Sequence, residues 1–227
     1  MEENSMTPQP PLADVITTAT AYLRSIDPIM ADAILRVGPC TLVPNPDIFE
    51  ALIDAIISQQ ISVKAADTMV ARLRAAAPGA VITPEALTTF QHEDLRALGF
   101  TTSKSNYIRN LTEQVVSGQL DLEQLSLLDD ETVISKLTAL KGIGRWTAEM
   151  ILIFSLARPD VLPVDDLGFV EGVRVAYALP VRPTPKEMRE RGELWRPFRT
   201  FATWYMWAVR RAELQQSTRE RTRIVSL

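Results

Sequence analysis

Apolar residues recur along this chain at intervals of three and four, the spacing that gathers them on one face of a helix. The clearest case is Phe49, Leu52, Ile53 and Ile56, which form one stripe of a helix predicted over residues 48–57. The same reading predicts helices over residues 12–26, 28–37, 62–77, 85–98, 103–116, 131–140, 145–157, 167–178 and 198–214. Some starts carry their own chemistry. Thr184-Pro185-Lys186-Glu187 joins a capping threonine to proline at the first helical position and glutamate at the third, a capping box, and Asn45-Pro46 and Thr83-Pro84 are similar starts. Only CTLVP and GAVIT resemble strands, and each is too short to build a sheet. The pattern predicts a mostly α-helical chain without an internal repeat, ending in a polar, frayed tail over residues 215–227.

Composition narrows the class. A chain of 227 residues with 46% hydrophobic content can bury a full core as one large or two small domains. Its longest apolar run, MILIFSLA, is far short of the roughly 18 residues that span a bilayer. The acidic, proline-rich start MEENSMTPQPP lacks the basic and apolar segments of a signal peptide, so residues 1–11 read as a disordered lead-in to a cytoplasmic protein, nucleoid-associated if bacterial. One cysteine, Cys40, and one histidine, His92, cannot assemble a disulfide or a zinc or iron–sulfur site, and both read as packing or surface residues. The net charge of −4 argues weakly against a partner held by bulk positive charge, although arginines cluster late in the chain.

The stretch LKGIGRWTAEMILIFSLARPDVLPVDD, residues 140–166, carries the candidate chemistry. Gly142-Ile143-Gly144 falls between two predicted helices, where glycines permit a tight turn and the first amides of the next helix have no partner within it. Such a turn can hold a phosphate without net positive charge, with Ile143 anchored in the core. Gly142 and Gly144 are the candidate backbone-binding positions, flanked by Arg145, Thr147 and Lys141. Trp146 shares a helical face with Met150 and Ile153, which by spacing alone reads as core packing. Asp165 and Asp166 stand where a helix starts, so either can be a cap, and a helix N-terminus favours a charged carboxylate. Phe198, Phe201, Ala202, Tyr205, Met206 and Val209 fall on one face as ordinary core, with Trp204 to the side and Trp207 pointing away.

Together these segments resemble the helix-hairpin-helix/GPD superfamily of DNA-repair glycosylases, in its 3-methyladenine DNA glycosylase II branch. LKGIGRWTAEMI resembles the hairpin signature and LPVDDLG the loop that follows it. IISQQISVKAA, LGFTTSKSNYIRNL and LWRPFRTFATWYMW resemble further segments of that branch, in the family's order, so that the likeness runs over about residues 46–210. The resemblance implies that Asp166, with Asp165 as the alternate, is the catalytic carboxylate, and that Trp146 borders the base pocket. Bifunctional relatives carry a lysine at that position, so tryptophan there implies a monofunctional enzyme; Lys104 and Lys141 then read as backbone-contact or surface groups. Gln60 matches the position of a minor-groove wedge and otherwise reads as a surface glutamine, with Ser58 and Gln59 bracing its turn. The carbonyls of Thr138, Leu140 and Ile143 match those that hold a structural monovalent cation.

The expected architecture is all-α, a helix-hairpin-helix glycosylase fold of two helical subdomains with a DNA-binding cleft between them, lacking the N-terminal β domain of longer relatives. Residues 12–45 are expected to pack with the C-terminal subdomain, residues 46–128 to form the first subdomain, and residues 129–214 to hold the hairpin and catalytic loop. The expected activity is cofactor-independent hydrolysis of the glycosidic bond of alkylated bases of the 3-methyladenine and 7-methylguanine type, by a monomer acting on double-stranded damaged DNA and leaving an abasic site. A glycosylase for oxidised purines or uracil, and a non-catalytic DNA-binding hairpin module, are the alternatives.

Overall fold

The computed structural model describes residues 10–225, with side chains to residue 219. Of the expected lead-in over residues 1–11, only the last two fall among the described residues. In chain order the helices are α1 (Leu12–Ile26), α2 (Pro28–Val37), α3 (Ile48–Ser58), α4 (Val63–Ala76), α5 (Pro84–Leu87), α6 (His92–Ala97), α7 (Thr102–Val116), α8 (Asp130–Thr138), α9 (Arg145–Phe154), α10 (Leu167–Ala176), α11 (Pro185–Gly192) and α12 (Arg199–Val225). No strand occurs among the described residues, in keeping with the all-α expectation.

Local chemistry explains where the helices depart from the expected bounds. The single helix expected over residues 85–98 is two. Thr88 and Thr89 turn their hydroxyls back to the carbonyls of Glu85 and Ala86, and the Asp94 carboxylate accepts the Gln91 amide at 2.8 Å to start a new helix. The cap of α3 is Asp47 rather than Asn45: its carboxylate accepts the Glu50 amide at 2.8 Å, while Asn45 accepts the amide of Asp47. Helix α9 ends at Phe154, ahead of Ala157, which adopts a left-handed φ of 52°. The tail expected to fray continues α12 to Val225, because its glutamates, glutamines and arginines are good helix formers.

The chain divides into two compact units, one of Met1–Leu42 with Ala157–Leu227 and the other of Val43–Leu156. The expected boundary at residue 128 is therefore displaced. Helices α8 and α9 stay with the preceding helices because α9 packs on α3, whose Leu52, Ile53, Ile56 and Ile57 are fully buried. In the discontinuous unit, α10 lies against α12 at a distance only glycine allows: a Cβ on Gly172 would come within 2.1 Å of the Met206 carbonyl oxygen. Phe201, Ala202, Tyr205, Met206 and Val209 are buried along that helix, as their spacing predicts. Asp27 ties α2 into this unit by capping it at the amides of Ile29 and Met30 and accepting the Trp195 indole N–H at 3.3 Å. Cys40 is buried, and burial pushes its thiol up to about 11, the state of an inert packing residue.

Candidate active site and nucleic-acid interface

Within the Val43–Leu156 unit the hairpin is built around Gly142. Its φ of +92° is a left-handed conformation, and a Cβ there would lie 2.4 Å from the Tyr107 ring, so both backbone and space demand glycine. The Gln59 side chain donates to the Gly142 carbonyl at 2.7 Å and fixes the hairpin to the end of α3. Ile143 is buried and its amide returns to the Leu140 carbonyl at 3.1 Å, closing the turn. Gly144 begins α9 with no side-chain cap and with open space where a Cβ would be, which leaves that helix terminus approachable.

The flanking residues are less alike than their spacing suggests. Arg145 is exposed, but its guanidinium donates to both oxygens of Glu131, at 3.1 and 2.6 Å, and to Glu149 at 3.1 Å. Its first task is to clamp α8 to α9. Thr147 is buried, so its side chain is turned away from solvent and its main-chain amide is what remains near the turn. Lys104 is also buried, contrary to the surface reading. Its ammonium donates to the Ile57 carbonyl at 2.6 Å, and burial lowers its pKa. Thus a charged side chain caps the end of α3 just before the turn that carries Gln60.

Trp146 does not pack into the core: it is 48% exposed, while Ile153 on the same helix is fully buried. It borders a cavity of about 540 Å³ that is also lined by Gln60, Met150 and Phe154 from the same unit. Gln60 is exposed and holds a left-handed φ of 58° that residues other than glycine adopt at a cost of roughly 1 kcal/mol. Strain in an exposed turn beside a cavity is a feature that functional sites retain.

In the other unit, Asp166 is itself the cap of α10, and Asp165 beside it is exposed. The Asp166 Oδ1 accepts the Phe169 amide at 2.6 Å and the Trp207 indole N–H at 2.7 Å. Trp207 is thus the residue that sequence spacing set aside, 41 positions away and off the buried face of its helix. Gly168 makes room for the pair, since a Cβ there would lie 3.2 Å from Asp166 Oδ1 and 3.4 Å from the indole. The loop before Asp166 is pinned to the start of α12. Thr200 donates to the Arg158 carbonyl at 2.6 Å and accepts the Val161 amide at 3.0 Å, and Arg199 holds the Asp160 carboxylate with Nε at 2.7 Å and Nη2 at 2.9 Å. This arrangement presents an oriented carboxylate at a helix N-terminus, suited to stabilising positive charge.

Known proteins are similar to this chain over most of its length. Residues 53–197 match the family model described as HhH-GPD superfamily base excision DNA repair protein. DNA-3-methyladenine glycosylase 1 of Schizosaccharomyces pombe is 37% identical over 197 residues, covering 85% of this chain and 86% of the relative. The solved structure of a 3-methyladenine DNA glycosylase from that yeast in complex with abasic DNA superposes with a TM-score of 0.74 at 36% identity, over 84% of this chain and 95% of the other. A DNA-3-methyladenine glycosidase of Bacillus halodurans gives 0.75 at 36% identity, over 90% and 91%. The chain therefore belongs to the HhH-GPD superfamily of base excision DNA repair proteins.

Proposed function

We propose that the protein is a monofunctional DNA glycosylase that removes alkylated bases, of the 3-methyladenine and 7-methylguanine type, from double-stranded DNA. The observation that carries this reading is the half-exposed Trp146 indole at a cavity, where spacing alone would have buried it. Alkylation at a ring nitrogen makes a purine cationic, and a cation is attracted to the face of an indole. A damaged base turned out of the stack can therefore rest on Trp146, while Gln60 wedges from the minor groove into the gap it leaves. The amides at Gly142 and Gly144 and the first turn of α9, with the main chain of Thr147, hold the phosphate backbone. Arg145 contributes there by fixing the hairpin, its guanidinium being held by Glu131 and Glu149. The carbonyls of Thr138, Leu140 and Ile143 would be the groups to hold a monovalent cation as a brace of the hairpin.

Asp166 carries the chemistry. As the C1′–N bond breaks, its electron pair leaves with the base, which departs neutral, and the positive charge passes to the sugar. The Asp166 carboxylate stabilises that charge and orients the water that adds to C1′, giving an abasic site and releasing one proton. Trp207 and the Phe169 amide hold the carboxylate in place as positioning groups. No lysine stands at Trp146 to form a Schiff base, so the sugar–phosphate strand stays intact.

The test is incubation with randomly methylated duplex DNA, followed by chromatography of released bases and gel analysis of the strand. Free methylpurines with strand breaks only after alkali are expected. Breaks without alkali would refute the monofunctional reading, and binding without any base release would make the protein a DNA-binding module instead.

A further inference from the structure

The cavity beside Trp146 contains a group that neither the hairpin nor the Asp166 site accounts for. Asp54 stands one turn before the end of α3 and lines this cavity. Its Oδ1 is shut off from solvent and has no hydrogen-bond partner. A buried carboxylate oxygen left unsatisfied is costly, and native folds seldom keep one without a use for it. Its surroundings add to the cost. Glu50, Asp67 and Asp47 repel it, and Arg74, which Glu50 holds in an ion pair, offsets only part of that repulsion. Burial and these like charges together push the Asp54 carboxyl up to about 6, so it is still mostly ionised at neutral pH.

An anion held at such expense suits a visiting cation. Asp54 also borders a second cavity, but that one is lined by Asp67, Arg74 and small residues and has no aromatic face. The cavity with Trp146 has an indole and the Asp54 carboxylate in one lining, the pair of features that a flat, positively charged ring would use.

We propose that Asp54 is the charge-reading residue of the base pocket, selecting bases that carry a positive charge over neutral ones. This rests on the reading that the Trp146 cavity receives the base. The chemistry fixes where its influence falls. The base is cationic when captured and neutral once the glycosidic bond has broken, so the attraction to Asp54 is largest in the bound ground state and fades toward the transition state. Asp54 therefore strengthens capture and not the bond-breaking step, the reverse of Asp166, which acts on charge that develops at the sugar.

The experiment is single-turnover base release from a duplex carrying one 7-methylguanine, with wild type, Asp54→Asn and Asp54→Glu, over a range of enzyme concentrations. Affinities for undamaged and abasic duplexes are measured alongside. For Asp54→Asn we expect the half-saturating concentration to rise about tenfold, the size of one half-buried opposite-charge contact, and the maximal rate to rise with it by up to the same factor, since only the bound ground state loses the contact. Asp54→Glu should keep most of the capture, and neither variant should change affinity for undamaged or abasic duplex. An unchanged half-saturating concentration in Asp54→Asn overturns the inference, as does an equal loss for all three duplexes, which would mark a packing role. Both of those results leave the glycosylase reading intact. Failure of the wild type to release 7-methylguanine would instead strike at that reading, and the role of Asp54 would fall with it.

Discussion

The hairpin unit and the Asp166 site solve opposite problems with the same device, the start of a helix. At Gly144 the terminus has no side-chain cap and open space around it, whereas at Asp166 the terminus is capped by the very carboxylate proposed to do chemistry. The first leaves donors at hand for a phosphate that can arrive anywhere along a strand. The second fixes one oxygen by a 2.6 Å bond from an amide and a 2.7 Å bond from an indole, because a charge-stabilising group must be oriented before the reaction begins. The difference teaches that grip and catalysis are built to be separable, since grip relies on main chain and catalysis on one braced side chain.

The largest expected effect breaks the catalytic half alone. Asp166→Asn should slow base release by roughly 1,000-fold, comparable to the loss of an oxyanion-type charge contact, and leave duplex affinity within about twofold in a binding titration. Next is Trp207→Phe, which removes one hydrogen bond to a charged group and keeps the ring. It should slow the maximal rate about 10- to 100-fold with unchanged affinity. Loss of affinity instead would mean that Trp207 holds the fold more than the carboxylate.

The third prediction breaks the grip. Gly142→Ala brings a Cβ to within 2.4 Å of the Tyr107 ring on a left-handed backbone, so it should weaken binding to damaged and undamaged duplexes alike, about tenfold, without altering which base is released. A change in base preference would tie the hairpin to the pocket.

The smallest effect is on stability. Asp54 has its carboxyl raised to about 6 by burial and by Glu50, Asp67 and Asp47. A raised carboxyl means that the folded state resists its ionisation. The penalty is absent below about pH 4, where the group is protonated in both states, grows as pH rises toward 6, and is complete above it. Asp54→Asn should therefore stabilise the fold at neutral pH by about 1 kcal/mol after allowing for solvent screening, and the gain should vanish near pH 4 in denaturant titrations. A residue whose removal stabilises the fold and weakens capture is one kept for function.

These residues also mark how far the sequence could be read. The helices were legible because their apolar stripes and caps are local, as with Thr184 and Glu187, and so was the hairpin, because glycine spacing is local. The break in the helix expected over residues 85–98 was not, since it depends on two threonine hydroxyls choosing carbonyls over water. Trp146 misled by periodicity: a residue in the first turn of a helix can share a face with core residues and still lie beyond the core's edge. Trp207 and Lys104 act across 41 and 47 positions, on Asp166 and on the Ile57 carbonyl, and no local pattern reports such pairings; Asp54 has a like charge one turn away at Glu50, but its burial is set by the packing around α3.

The most direct test is chromatography of the bases released from randomly methylated duplex DNA by wild type, Asp165→Asn and Asp166→Asn side by side. The account predicts methylpurines from wild type and from Asp165→Asn, and almost none from Asp166→Asn despite unchanged duplex binding. Release that survives in Asp166→Asn and disappears in Asp165→Asn would contradict it, by moving the chemistry to the exposed neighbour and leaving Asp166 as a helix cap alone.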